Sequence, residues 1–181
     1  MKIPSLMLVA ALALLAGCRG TGATGSGDAI DVDRLRLSLP RGWQQVPPSS
    51  QMRLAQFSIA GTDGPAELAV FHFGAGQGGD VETNLTRWIG QVELAAGSAP
   101  RRELLESGGL RITLVDAEGT LRPGQMGMGP ASPQPGSRLL GAVVEGDGGP
   151  WFFKATGPGT TLGPQRDAFV EMLKSIRLRE R

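Results

Sequence analysis

The segment ELAVFHFGAGQGGDVETNLTRWIGQV, residues 67–92, contains the two patterns that decide the fold. Residues 67–73 carry apolar side chains on both faces of a strand, which is typical of a central strand in a sheet. A glycine-rich turn follows, and Asp80 is a favourable N-cap for a helix. Apolar side chains then recur at helical spacing, which predicts one buried stripe. The stripe consists of Val81, Leu85, Trp88, Ile89 and Val92.

Segments with strand character lie on both sides of this stretch. Residues 34–39 alternate between polar and apolar side chains with a period of two, which indicates a half-buried strand. Further strands are predicted at residues 52–59, 101–106, 110–121, 138–146 and 151–156. Pro164 is expected in the first turn of a closing helix. We therefore predict an α+β fold, with a mostly antiparallel twisted sheet flanked by two amphipathic helices.

The start of the chain has the features of a bacterial lipoprotein signal peptide. Residues 6–16 form an uncharged apolar run of eleven residues. This run is shorter than the roughly 20 residues that a membrane-spanning helix needs. The sequence Leu15-Ala16-Gly17-Cys18 resembles the lipobox, where small residues precede the cysteine that receives a diacylglyceryl group. Cys18 is also the single cysteine of the chain, so it cannot form an internal disulfide.

These features predict how the chain is organised. Residues 1–17 are expected to be a signal peptide, and Cys18 is expected to carry the lipid that holds the protein on its membrane. The Gly/Ser/Thr-rich stretch 18–30 should be a flexible tether. Residues 31–181 have the length of a single α+β domain. Arg19 follows the modified cysteine, which by resemblance to lipoprotein sorting rules favours the outer membrane, facing the periplasm.

Charge and composition give no indication of a nucleic-acid partner. The chain has 18 Lys and Arg residues against 17 Asp and Glu residues, and removal of Lys2 with the signal peptide leaves a net formal charge of zero. A nucleic-acid-binding domain would be expected to concentrate basic side chains on one face. The arginines near the C-terminus are interrupted by Glu180, and we interpret them as a solvated end.

Several stretches resemble known exported proteins. They are PRGW at residues 40–43, GAGQGGDVETNLTRWIGQ at 74–91, RLLGAVVEG at 138–146, WFFKATGP at 151–158 and AFVEMLKSIR at 168–177. The set is similar to a family of uncharacterised exported bacterial lipoproteins and, more loosely, to the PsbP-type α/β/α sandwich. The resemblance covers residues 34–178. It implies an assembly or accessory role outside the cytoplasm, and it identifies no catalytic residue.

One polar patch on the predicted helix is a candidate binding site. Asn84, Arg87 and Gln91 follow one another at spacings of three and four residues, so they form a polar stripe beside Trp88. Amide and guanidinium groups could recognise a peptide, a glycan or a partner protein. The alternative is an ordinary solvated helix face beside a core tryptophan.

Three other patterns are weaker candidates. Residues 74–79 match G-x-G-x-x-G, but no acidic residue follows at the position that a dinucleotide fold requires, so no cofactor is predicted. His72 is the single histidine, and it has neither the partners of a catalytic triad nor those of a zinc site. Met126 and Met128 offer two thioethers to soft ions such as Cu(I), within a Pro/Gly-rich loop that could instead contact a protein or be a mobile hairpin tip.

The sequence therefore favours a non-catalytic, membrane-anchored domain of the bacterial cell envelope. It would support an envelope assembly by binding another protein or a glycan, without a cofactor or a metal. Two alternatives stay open. One is a small-ligand or metal-binding lipoprotein that uses the region near Asn84 and Arg87, and the other is a hydrolase whose catalytic residues the sequence does not reveal.

Overall fold

A computed structural model of the chain describes residues 27–124 and 130–179. These residues form eleven strands and two helices, as follows: β1 (Ala29–Val32), β2 (Leu35–Ser38), β3 (Trp43–Val46), β4 (Ala55–Ile59), β5 (Ala66–His72), α1 (Val81–Ile89), β6 (Val92–Leu94), β7 (Arg101–Ser107), β8 (Leu110–Leu121), β9 (Gln134–Glu145), β10 (Trp151–Pro158), α2 (Gly159–Lys174) and β11 (Arg177–Leu178). The predicted α+β class is confirmed.

The main sheet has eight strands, and all of its pairings are antiparallel. Its order is β3-β4-β5-β10-β9-β8-β6, and β7 pairs with the first half of the long strand β8. The strand predicted to be central, β5, lies inside the sheet between β4 and β10. Its apolar side chains point in both directions because Leu68 and Val70 are buried in one hydrophobic core and Phe71 packs against another on the opposite face.

Each face of the main sheet packs against one helix, which gives an α/β/α arrangement. On one face, α2 and the small sheet β1-β2-β11 enclose the larger core, which contains Phe57, Trp151, Phe153 and Phe169. On the other face, α1 lies against β8 and β9. The smaller core there is built around Leu85, Trp88, Val143 and Phe152.

Helix α1 covers only part of its face because it is nine residues long. Asp80 is the N-cap, as predicted, and its carboxylate accepts a hydrogen bond from the backbone N–H of Thr83. The helix ends at Ile89, before Gly90. Val92 was predicted on the helical stripe, and this is wrong. It lies in β6, opposite Leu121 of β8, where its side chain is buried in the smaller core.

The glycine-rich turn before α1 has a packing reason. Gly78 has a φ of +83°, and a Cβ at this position would lie 2.8 Å from a ring carbon of Phe152 and 2.9 Å from a ring carbon of Phe73. A side chain is thus excluded by conformation and by contact. Gly78 is not one of the three glycines of the G-x-G-x-x-G pattern. Those glycines, Gly74, Gly76 and Gly79, also have positive φ angles, of +88°, +70° and +80°.

Three predicted boundaries differ from the structure. The predicted tether 18–30 overlaps β1, because Ala29 and Ile30 already pair with β2. Pro164 is not in the first turn of α2, which begins five residues earlier at Gly159. The Pro/Gly-rich loop that contains Met126 and Met128 is predicted to extend over residues 122–137, but β9 already begins at Gln134. A strand at Trp43–Val46 was not predicted at all.

Candidate functional site

The uncovered part of the α1 face forms a cleft of about 870 Å³. Its floor is the sheet beside α1, and its walls are α1, the turn before it and the segments around residues 49–53 and 122–124. The charged side chains that line it are Arg53, Glu67, Arg87, Arg122 and Lys154, and the large apolar ones are Met52, Phe71, Phe73, Trp88 and Phe152. We call this the α1 cleft.

All three residues of the predicted polar stripe line the α1 cleft. Arg87 lies on the exposed side of the helix. Gln91 is not on the helix, as the sequence had suggested, but directly follows its C-cap, Gly90. Asn84 is not solvated, because it is only 3 % exposed.

Asn84 is fully engaged by its neighbours. Its amide nitrogen donates to the carbonyl oxygens of Gly78 and Asp80, at 2.8 and 2.9 Å. Its amide oxygen accepts from Nη2 of Arg87, at 2.5 Å. Asn84 therefore fixes the turn before α1 and positions the Arg87 guanidinium at the cleft, which is a structural role beside the recognition role expected for it.

Lys154 was not singled out in the sequence, yet it lines the α1 cleft and contacts Gln91 there. It stands on β10 between Ala69 of β5 and Gly141 of β9. Its ammonium group donates to Oε1 of Gln91, at 2.6 Å. Lys154 was identifiable in principle, because a lysine directly follows three aromatic residues in the strand WFFKATGP.

Burial and nearby positive charges lower the pKa of Lys154. Desolvation, followed by repulsion from Arg87 and Arg53, lowers the pKa of Lys154 from 10.5 to about 8, although Glu67 acts in the opposite direction. A cation in this environment is destabilised relative to one in water. The cleft therefore contains a concentrated positive charge that the fold only partly compensates.

The charges of Arg53 and Glu67 already pair with each other. Nη1 of Arg53 lies 2.5 Å from Oε1 of Glu67, and Gln56 donates to the other carboxylate oxygen at 2.7 Å. Among the residues that the structure describes, Glu67 is the one acid that lines the cleft, and its carboxylate is thus already paired. In the described part of the chain, neither Arg87 nor Lys154 forms an ion pair with a carboxylate.

His72 lies on the other face of the sheet. Its ring stacks on Trp151 with 4.5 Å between the ring centroids, and Nδ1 lies 3.1 Å from the carbonyl oxygen of Pro150. Trp151 belongs to the larger core, away from the α1 cleft. A serine in the cleft, such as Ser49 or Ser50, therefore has no histidine beside it to act as a base.

Some predicted features lie outside the described residues. These are the signal peptide, Cys18, most of the tether, and Met126 and Met128. Residues 27–124 and 130–179 contain no helix that is long and apolar enough to cross a membrane. Nor do those two ranges contain a group of three or more His, Cys, Asp or Glu side chains placed to hold a metal ion.

Comparison with known proteins identifies the fold and no more. No protein-family model and no curated protein sequence matches the chain. A crystal structure of a protein from Bacteroides thetaiotaomicron VPI-5482 aligns with 12% identity and a TM-score of 0.43, over 87% of this chain and 49% of that one. The solution structure of cyanobacterial PsbP (CyanoP) from Synechocystis sp. PCC 6803 aligns with 16% identity and a TM-score of 0.52, over 91% of this chain and 99% of that chain. This chain is thus similar in fold to PsbP, as the sequence had suggested.

Proposed function

We propose that the protein is a lipid-anchored, non-catalytic binding protein of the bacterial cell envelope, and that the α1 cleft is its binding site. The observation that carries this proposal is the convergence of Arg87, Gln91 and Lys154 on one cleft. The lipobox at residues 15–18 supports the anchor. Outer-membrane attachment facing the periplasm, suggested by Arg19, is part of the proposal.

The size of the cleft favours a small ligand over a macromolecule. About 870 Å³ lies within the range of roughly 300–1,000 Å³ that is usual for small-molecule sites. Such sites combine apolar walls with a few convergent polar groups, and the α1 cleft has both. We therefore place the small-ligand alternative ahead of a protein or glycan partner.

Lipidation is expected to depend on Cys18. The full-length wild type should label with radioactive palmitate in its own host and partition into detergent, because acylated lipoproteins carry chains that stay in the membrane. Cys18→Ser should abolish the label and release the protein from membranes. Labelling that survives this substitution would remove the basis for the anchor.

The cleft can be tested by photocrosslinking in the native envelope. A benzophenone amino acid would replace Met52, which is 52% exposed at the cleft, or Leu104, which is 64% exposed on β7 outside the cleft. We expect irradiation to add the mass of a small molecule to the full-length protein labelled at 52 and to leave the protein labelled at 104 unchanged. Intact-mass measurement reads both.

The remaining outcomes argue against the proposal in different ways. A protein-sized adduct at position 52 would support the macromolecular alternative. The absence of any adduct at 52, or equal adducts at 52 and 104, would mean that the α1 cleft is not the binding site.

A further inference from the structure

The charges and walls of the α1 cleft define the class of ligand, on the assumption that the proposed function is right. We propose that the cleft binds a small organic anion with a flat apolar body, and that Lys154 and Arg87 hold its anionic oxygen group. The group is a carboxylate or a phosphate, which share this chemistry.

The first argument is the charge balance of the cleft. Of its four basic side chains, Arg53 is paired with Glu67 at 2.5 Å, and Arg122 lies 3.9 Å from Glu93. Lys154 and Arg87 instead donate to the neutral amide oxygens of Gln91 and Asn84. An amide oxygen accepts a hydrogen bond without neutralising a cation. An anion between Lys154 and Arg87 would supply the missing negative charge.

The second argument is the unused hydrogen-bonding capacity of Lys154. An ammonium group has three N–H donors, and within residues 27–124 and 130–179 one acceptor is found for them, Oε1 of Gln91. Burying a charged group is costly unless it is paired. Lys154 lies on β10 inside the sheet, and the α1 cleft leaves its remaining N–H donors accessible to a ligand.

The third argument is the apolar wall beside the cations. Phe71 and Phe73 are stacked with 6.2 Å between ring centroids, and Phe73 lies 5.9 Å from Phe152. Phe73 is 45% exposed and Met52 is 52% exposed, although both are large apolar side chains. A flat ring or a short chain attached to the anion would cover them and remove apolar surface from water.

The test uses the full-length lipidated protein in phosphatidylcholine nanodiscs, with empty nanodiscs as the blank. The probes are 2-naphthoate, 2-naphthyl phosphate and the neutral 2-naphthalenemethanol, measured by equilibrium dialysis. We expect at least one anion to bind ten-fold or more tightly than the alcohol. The affinity ratio between the two anions then distinguishes a carboxylate ligand from a phosphate ligand.

The matched variants are Lys154→Met and Lys174→Met. Both remove a lysine, but Lys174 is exposed on α2, on the opposite face of the sheet. Lys154→Met should weaken the preferred anion at least ten-fold and leave the alcohol unchanged, and Lys174→Met should change neither. The midpoint temperature of unfolding of Lys154→Met should be no lower than that of the wild type, because methionine fills the buried site without burying a charge.

A pH titration of the wild type provides a test that needs no substitution. The charged groups facing Lys154 are Glu67, Arg53 and Arg87, and Gln91 accepts its hydrogen bond. The titration runs from pH 7 to pH 10. Lys154, with a pKa of about 8, loses its charge in this range. Affinity for 2-naphthoate should therefore fall several-fold from pH 7 to 10, and Lys154→Arg should bind it with little dependence on pH.

The inference and the proposed function fail separately. The inference is overturned if the alcohol binds as tightly as both anions, if Lys154→Met binds them like the wild type, or if no probe binds at millimolar concentration. In each case, a small-molecule adduct at position 52 would still support the cleft as a binding site. Loss of that adduct would overturn the proposed function as well.

Discussion

Trp88→Ala is expected to lower the free energy of unfolding by about 3–5 kcal/mol, as for other buried aromatic side chains. The indole is 4 % exposed and meets Phe152 edge to face, at 6.3 Å and 87° between the rings. It also lies directly over the backbone of β9, since a Cβ on Gly141 would come within 2.5 Å of the ring. Helix α1 is short, so this one side chain accounts for much of its attachment.

Urea unfolding would measure the effect of Trp88→Ala. Leu104→Ala is the control, because Leu104 is 64% exposed and its loss should cost no more than about 0.5 kcal/mol. Gly141→Ala should destabilise the wild type and cost much less in the Trp88→Ala background, where the ring that it would strike is gone. A loss below about 1 kcal/mol for Trp88→Ala would mean that α1 is held to the sheet by other contacts.

The fold was predictable where the burial of a strand or helix leaves a recognisable pattern of apolar residues in the sequence. Residues 67–73 carry apolar side chains in both directions because Leu68 and Val70 are buried in the larger core and Phe71 packs against the smaller one. Leu85 and Trp88 lie on the buried stripe that the helical spacing predicted. These local patterns are sufficient for the class and for the position of α1.

The helical periodicity gave a wrong prediction where a strand begins at a position that continues the spacing of the helix. Val92 follows Trp88 at helical spacing, but the helix has already ended and Val92 is buried through β6. The short strand β3 shows little alternation between polar and apolar residues, because Gln44 and Gln45 are adjacent in it. Its pairing with β4 depends on a distant neighbour and not on its own pattern.

Only the part of the candidate site that comes from neighbouring positions in the chain was predictable. Arg87 and Gln91 are close to each other in the chain, so their proximity could be predicted from local spacing. Lys154 is separated from Gln91 by 63 positions, and its contact with Gln91 follows from the strand order of the sheet. Asn84 was a candidate because its spacing placed it in one polar stripe with Arg87 and Gln91, whereas its amide holds the turn before α1 in the structure.

A second large effect is expected at Asp116, on the face of the sheet that packs against α2. Asp116 is 5% exposed on β8. Both of its oxygens accept from Arg138, at 2.8 and 2.7 Å, and one also accepts from Arg166 of α2, at 3.0 Å. Arg166 additionally pairs with Glu103 of β7. One buried carboxylate therefore joins α2 to two strands.

Asp116→Asn should lower the free energy of unfolding by about 3 kcal/mol, because removing one partner of a buried ion pair leaves the other charge uncompensated. Arg138 would lose the carboxylate that pairs with it directly, whereas Arg166 would keep its pair with Glu103. The control is Glu82→Gln, which breaks the exposed pair between Arg102 and Glu82 and should cost less than about 1 kcal/mol. Equal losses for the two variants would contradict the structural role of Asp116.

The same carboxylate should make stability depend on acid. Burial alone would raise the pKa of Asp116, but the hydrogen bonds and charges of Arg138 and Arg166 outweigh burial and hold that pKa below 3.8. A lowered pKa in the folded state means that the stabilisation is complete well above pH 3.8 and is lost as the pH falls below it. Urea unfolding of the wild type should therefore show stability falling towards pH 2, and the difference from Asp116→Asn should shrink over that range. A difference that stays constant from pH 7 to pH 2 would mean that the ionised carboxylate is not the source of the stabilisation.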